Sequence, residues 1–373
     1  MKILNFEWNS FTNQATIKAF NKLNIEYDSI YYIQKDWDYD EQLYNLIKDK
    51  IANNTYDAVF SINYAPMVSK ACEEAGLKYI SWVYDAPLHI RNLESLHNSC
   101  NEIYFFDRGQ ANDYAREGIH AYHMPLAADP GMFNAQYVDK YACDVAFVGE
   151  MYRSEYASVC AALNDYQKGF LEGIVKAQSK IYGGCIIPEL INEKLITELN
   201  EQFKSQNLDF RVNKRQIEYL LECEVTGRER FMILSILSNH YNLHMYSDRE
   251  DERIPKAHYK GYCNYETEMP HIFRSAKVNL NISLRAIQTG MPLRVIDVLA
   301  CRGFLISNLQ EEILDYLSPG QDLEVYTSIP EMYEIADFYM KNDTAREKIA
   351  MHGYETVCKN FTYEDRIIRM FGL

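Results

Sequence analysis

The chain has 373 residues, 47% of them hydrophobic and 24% charged, which fits two globular domains and excludes a disordered polymer. Its net charge of -15 at pH 7 excludes a nucleic-acid partner, because phosphate tracks need a basic face; a small phosphorylated ligand needs only one or two Arg or Lys and stays open. Nine Cys stand singly and read as reduced thiols, no run reaches the ~18 apolar residues of a membrane helix, and the start is not signal-like, so the expected compartment is the cytosol.

The first third alternates short apolar runs with amphipathic stretches. Strands are expected at Lys2–Phe6, Tyr27–Ile33, Asp57–Ile62, Lys78–Tyr84, Glu102–Phe106 and Ala121–Met124. Helices are expected at about 12–23, 39–53, 64–76, 90–98 and 109–118, with Gly76 and Gly118 as stop signals. Strands of this kind, alternating with helices, form a parallel sheet covered on both faces.

A loop rich in breakers, Pro125 to Gly131, precedes a second start at Cys143–Gly149, a strand ending in glycine. Residues 151–238 read as largely helical. Alternation resumes with strands at Asn242–Tyr246, Lys256–Tyr262, Lys277–Ile282, Phe304–Ser307 and Leu323–Tyr326. Helices at 266–275, 292–301, 309–317, 329–341 and 343–359 lie among and after them. The expected division is an N-terminal Rossmann-like domain at 1–130 and a C-terminal one at 131–355 carrying a helical insertion at about 151–238. A final helix within 356–373 returns to the first domain. Two such halves face each other across a cleft at the carboxyl ends of their strands, where ligands of open α/β sheets bind. The 30 Tyr either pack domains and surfaces or stack bases and sugar rings in that cleft.

The segment Ser283 to Ser307 reads as loop, helix and strand. Pro292 suits a first helical turn, whose free N–H groups form an anion site. Arg294 in that turn is placed to clamp a phosphate, and Asp297 one turn on to accept from ribose hydroxyls. A plain crossover with a solvated Arg294 is the competing reading of the same pattern. Gly261 permits close approach of backbone to a ligand, and Tyr265 offers a stacking face or simple packing.

The run Arg294-x-x-Asp297-x-x-Ala300-x-x-Gly303-Phe304-Leu305-Ile306-Ser307 resembles the donor-site signature of the CgeB-like, spore-maturation-type glycosyltransferases, which have the GT-B architecture. The Phe147-Val148-Gly149-x-x-Tyr152 opening, Asn279-Leu280-Asn281, Trp82-x-x-Asp85-x-Pro87, Met124 to Asp129, Glu347 to Gly353 and Phe361-Thr362-Tyr363-x-x-Arg366 are similar in the same order. The resemblance implies that Asp297 holds the ribose, Arg294 the diphosphate, and the Gly261–Tyr265 loop the base. It groups Thr289, Gly290, Gly149, Tyr152, Tyr265 and Ser283 with them as donor-binding residues. Two positions depart from the pattern: Thr289 stands where many retaining relatives carry an acid, and Arg302-Gly303 where the family prefers Gly-Gly.

On the acceptor side, Ser81 to His89 brings Asp85 and His89 to the edge of the first sheet, where either can take a proton from an attacking hydroxyl. A helix cap and a surface histidine are their plain readings. Glu7, Trp8 and Asn9 follow the first strand and are candidates to contact acceptor. Asp36-Trp37-Asp38 has the letters of a metal motif but falls in a loop, and no zinc, Walker A or nucleophile-elbow pattern occurs.

The expectation is a metal-independent glycosyltransferase of hexosyl type without a resident cofactor. It takes a nucleotide-sugar donor, UDP-sugar favoured, and a glycan or protein hydroxyl as acceptor. The alternatives are a sugar-nucleotide epimerase and a catalytically silent sugar-nucleotide-binding or structural protein. The pattern sets no oligomeric state.

Overall fold

The computed structural model describes residues 1–132 and 141–373. They form two compact units, with Thr289–Ile296 and Thr356–Leu373 grouped with the N-terminal residues in the first.

In the first unit the chain runs β1 (Lys2–Glu7), α1 (Asn13–Lys22), β2 (Glu26–Tyr31), α2 (Glu41–Asn53), β3 (Ala58–Ile62), α3 (Pro66–Ala75), β4 (Tyr79–Val83), β5 (Asn101–Phe105), α4 (Arg108–Arg116) and β6 (Ala121–His123). All six strands are parallel, in the order β2-β1-β3-β4-β5-β6. Every residue of β3 and β4 is buried, which is why they read as unbroken apolar runs. Local signals set the helix ends. The side chains of Asp40 and Asp107 cap α2 and α4 by accepting from main-chain N–H groups, Pro66 opens α3, and Gly76 closes it with φ of 63°. The helix expected at 90–98 is a single 3₁₀ turn, Leu93–His97. The buried Asp38 carboxylate accepts from the N–H groups of Arg91 and Asn92 just before it.

The second unit holds β7 (Cys143–Val148), α5 (Tyr156–Ala161), α6 (Asp165–Gln178), α7 (Ile187–Leu190), α8 (Glu193–Ser205), α9 (Lys214–His240), β8 (Leu243–Tyr246), β9 (His258–Tyr259), α10 (Met269–Ser275) and β10 (Ala276–Asn281). After these come α11 (Leu293–Ala300), β11 (Leu305–Asn308), α12 (Glu311–Tyr316), β12 (Glu324–Tyr326), α13 (Ile329–Lys341), α14 (Asp343–Asn360) and α15 (Tyr363–Phe371). Its sheet is again six-stranded and parallel, β12-β11-β10-β7-β8-β9. The 27-residue α9 starts in a capping box between Asn213 and Gln216. Its first half, through Ile217, Leu221 and Val225, completes a separate core with α5 to α8. Its second half, through Ile233, Leu234 and Leu237, packs on the sheet. The helical stretch 151–238 therefore divides: α9 is the β7-to-β8 crossover, and α5 to α8 are the added part.

Helix α15 packs within the first unit. Phe371 meets Phe20 and Phe60 with ring centroids 6.3 and 5.8 Å apart, and Arg366 donates from Nε to the Pro125 carbonyl at 2.9 Å. No helix among the described residues is long and apolar enough to cross a membrane, and all nine cysteines are free.

Candidate functional site

Both strand orders reverse once: between β1 and β3 in the first sheet, and between β7 and β10 in the second. In open α/β sheets the crevice at the carboxyl ends of such neighbouring strands is where ligands bind. The residues there differ sharply between the two units.

In the first unit Glu7 ends β1 and accepts from the Asn5 amide at 2.9 Å. Trp8 bridges the reversal, its indole N–H donating to the Ile62 carbonyl at the end of β3 at 2.7 Å. Its ring meets Trp37 edge-on at 5.0 Å. Trp8 is thus anchored, whereas Asn9 beyond it is exposed. Asn63 follows β3 with a left-handed φ of 59°, a conformation asparagine tolerates better than most residues. Its Oδ1 accepts from the Tyr84 N–H at 2.7 Å, and its Nδ2 donates to Asp85 Oδ2 at 2.8 Å. Asn63, absent from the sequence reading, therefore sets the end of β4 and the Asp85 carboxylate together.

Asp85 retains an exposed surface, yet protein crowds its carboxyl. This burial holds it above the usual carboxylate range, opposed by the charge of nearby His89 and by the Asn63 hydrogen bond. Asp85 and His89 are thus brought together at the sheet edge. The aspartates of Asp36-Trp37-Asp38 both pair with Arg91, at 2.6 and 3.1 Å. Among the described residues no three His, Cys, Asp or Glu side chains converge as a metal site.

Thr289 and Gly290 also belong to the first unit. The Thr289 hydroxyl donates to Asp107 Oδ1 at 3.1 Å and accepts from the Gly109 N–H at 2.9 Å. A Cβ on Gly290 would stand 2.9 Å from Asp107 Cα and 3.0 Å from the Phe106 ring. Both residues, grouped by sequence with the donor site, are engaged at the start of α4, because the loop before α11 packs on that helix end.

In the second unit a buried arginine fills the reversal. Arg230, on α9, donates to the carbonyl of Glu150 after β7 and, through Nε at 3.1 Å and through Nη2, to that of Ile282 after β10. The guanidinium lies over the rings of Phe147 and Tyr152, at 5.2 and 4.6 Å, and burial lowers its pKa. The loop from Gly149 can approach because Gly227 has no Cβ; one would lie 2.6 Å from the Tyr152 carbonyl. Tyr152 turns there with φ of 44°. The residue before it on α9, Glu229, receives Arg285 at 2.6 Å and the Tyr326 hydroxyl at 3.1 Å, with Tyr182 stacked 4.5 Å from the Arg285 guanidinium.

Ser283 is buried in a polar latch across the ends of β10 and β11. Its N–H donates to Asn308 Oδ1 at 2.7 Å, and Asn281 donates to the Ser283 and Ser307 hydroxyls at 3.0 and 2.9 Å. Gly149 donates its N–H to the Tyr246 carbonyl. Helix α11 begins one residue after Pro292 and carries a half-buried Arg294 and a buried Asp297. Tyr265 and Asp297 are brought together: the phenol donates to Asp297 Oδ1 at 2.9 Å. The Gly261–Tyr265 loop and α11 therefore meet through a carboxylate. Its other neighbour position, Arg302, ends the helix with φ of 57°, and its guanidinium stacks 4.2 Å from the Tyr354 ring.

A family model described as "Glycosyl transferase-like" matches residues 226–372, less than half of the chain. Among solved structures, HepE of Anabaena in complex with UDP superposes with a TM-score of 0.52 at 8% identity, over 100% of both chains. Sucrose-phosphate synthase of Thermosynechococcus elongatus gives a TM-score of 0.57 at 10% identity, over 100% of this chain and 98% of that one. AviGT4, a glycosyltransferase involved in avilamycin A biosynthesis, gives 0.50 at 10%, over 100% and 99%. A search of curated protein sequences gives no match. At these identities the structural likeness establishes the fold, which is GT-B: two parallel six-stranded α/β units.

Proposed function

We propose that the chain is a hexosyl-type glycosyltransferase of the CgeB-like group, moving a sugar from a nucleoside diphosphate sugar, UDP-sugar favoured, to a hydroxyl of a glycan or protein. The observation that carries this reading is the glycosyl transferase-like match over residues 226–372, which includes the whole β10–α11–β11 segment. The complexes of HepE with UDP, and with UDP and glucose, support the choice of donor.

In this reading Asp297, oriented by Tyr265, accepts from the ribose, and Arg294 with the first turn of α11 offsets charge on the departing diphosphate without a divalent cation. Asp85 takes the acceptor proton. Its raised pKa moves it toward the operating pH, where a general base works best, and His89 tunes that charge. Glu7 and Asn9 lie on the same sheet edge and contact the acceptor.

A thermal-shift panel of UDP, GDP, CMP and dTDP on the wild type and Asp297→Asn tests the reading. A ligand at 100 times its Kd stabilises by about 2.7 kcal/mol. The expected outcome is a shift with UDP that Asp297→Asn abolishes, followed by transfer that survives EDTA. No shift with any nucleotide, from folded protein, would overturn the assignment.

A further inference from the structure

The second unit holds a cavity of about 360 Å³ whose wall includes, of the donor residues named above, Tyr152. It opens between the loop leaving β7, the loop leaving β8, and the first half of α9, the part that packs with α5 to α8. Its wall includes Glu150, Tyr152 and Glu155 from the first loop, Gln216 and Tyr219 from α9, and Asp248 from the second loop.

The charges decide what such a cavity can take. Two arginines reach its rim, but both are engaged. Arg153 donates to the Glu250 carbonyl at 2.6 Å and lies 4.0 Å from Asp251, and Arg249 pairs with Asp248 at 3.0 Å. Three carboxylates, Glu150, Glu155 and Asp248, outnumber them. A phosphate would meet net negative charge here, whereas a polyol finds acceptors for its hydroxyls and aromatic faces for its C–H groups. Tyr152 is held by the Arg230 guanidinium and by its left-handed backbone, so this wall is rigid before any ligand arrives. The volume falls in the range of small-molecule sites.

We propose that this cavity is a pyranose-binding subsite, built by the first half of α9 against the carboxyl edge of the second sheet. The proposal rests on the glycosyltransferase reading and extends it. The ring is either the glycosyl unit of the donor or a sugar of a glycan acceptor, and Tyr219, Glu150 and Asp248 set which sugars fit.

Saturation-transfer NMR and titration with UDP, UDP-glucose and methyl α-glucopyranoside test this on the wild type, Tyr219→Ala and Glu150→Gln. Glu150 is exposed, so its isosteric variant keeps the fold if Tyr219→Ala does not. The expected result is saturation of sugar-ring protons in the wild type and at least tenfold weaker sugar binding in both variants, with UDP affinity unchanged. Sugar binding seen only in UDP-glucose assigns the ring to the donor; binding of the free glycoside assigns it to an acceptor; either supports the subsite. UDP binding with sugar contacts equal in the wild type and variants overturns the subsite and leaves the glycosyltransferase reading standing. Failure of UDP and UDP-glucose alike to bind the wild type overturns both.

Discussion

Asn63 donates to the Asp85 carboxylate at 2.8 Å while accepting the N–H of Tyr84 at 2.7 Å. One side chain thus fixes where β4 ends and where its first carboxylate points. Positioning of this kind, from a residue that need not touch substrate, is what a general base requires.

Replacing Asp85 by Asn should lower transfer by about 10²- to 10⁴-fold, the range for loss of a general base, and should raise the melting temperature at pH 7. The sign follows from the direction of its shift: an acid whose pKa is raised on folding holds its proton in the native state after the unfolded chain has lost it. Stability then falls as pH rises from the unfolded pKa through the folded one. The gain from Asp85→Asn should therefore be present at pH 7 and fade near pH 4. Calorimetry at both values checks this, and an equal gain at both would remove the assigned cause. Asn63→Ala, which removes a bond that favours the carboxylate, should move the acid limb of the pH–rate profile upward.

Arg230 joins the loops after β7 and β10 through carbonyls, with two aromatic rings on its guanidinium. Lysine has no planar fork to reach both carbonyls. Arg230→Lys should cost about 2 kcal/mol, since bonds to charged groups contribute about 1.5–3 kcal/mol each and some will be retained. Urea unfolding measures the loss. A variant as stable as the wild type would show that the two loops hold their places without this plug.

These two side chains show where the sequence stops being readable. The alternation of strands and helices is legible because the central strands are apolar throughout, as in β3 and β4. Their ends carry their own signals at Asp40, Asp107, Pro66 and Gly76. Arg230, by contrast, sits in Gly227-Arg228-Glu229-Arg230, which reads as a solvated helical face because charges there usually are. The one local cue is Gly227, a poor helix former in mid-helix, which the fold uses to admit the Tyr152 carbonyl. Asn63 follows a strand and carries no motif. Its importance comes from the parallel pairing of β3 with β4, a long-range fact. Thr289 and Gly290 look continuous with α11 in sequence but serve α4 in space.

The neighbours Arg302 and Gly303 should differ in their response to substitution. Arg302 is left-handed at the end of α11, the position where glycine is favoured, so the departure from a Gly-Gly pattern has a backbone cost. Arg302→Gly relieves about 1 kcal/mol of strain and loses a cation–π contact of similar size or less, so stability should change by under about 1 kcal/mol. Gly303→Ala places a Cβ 2.9 Å from Asn279 Nδ2, the Phe273 carbonyl and Val298, and should cost about 1–3 kcal/mol. Denaturant midpoints for the two variants decide whether Gly303 is fixed by packing and its neighbour is not.

Glu222 supplies the sharpest pH signature. It is 7% exposed on α9, where burial pushes its carboxyl up to about 7; Glu218 adds to the rise, while the Cys185 thiol, 3.7 Å away, and Arg215 oppose it. An unfolded glutamate titrates near 4.3. Below that value both states are protonated and the residue is neutral for stability. Between about 4.3 and 7 the unfolded chain gives up the proton and the native one keeps it, so stability declines as pH rises. Above 7 the loss is complete, at roughly 4 kcal/mol for a shift of this size. Glu222→Gln removes the charge, so it should stabilise the protein by up to that amount at pH 8 and by much less at pH 5. Urea unfolding of the wild type and variant at the two pH values measures the difference. A gain that does not grow between pH 5 and pH 8 would mean that Glu222 reaches solvent or a cation when it ionises, and that the core shared by α9 and the added helices opens to let it.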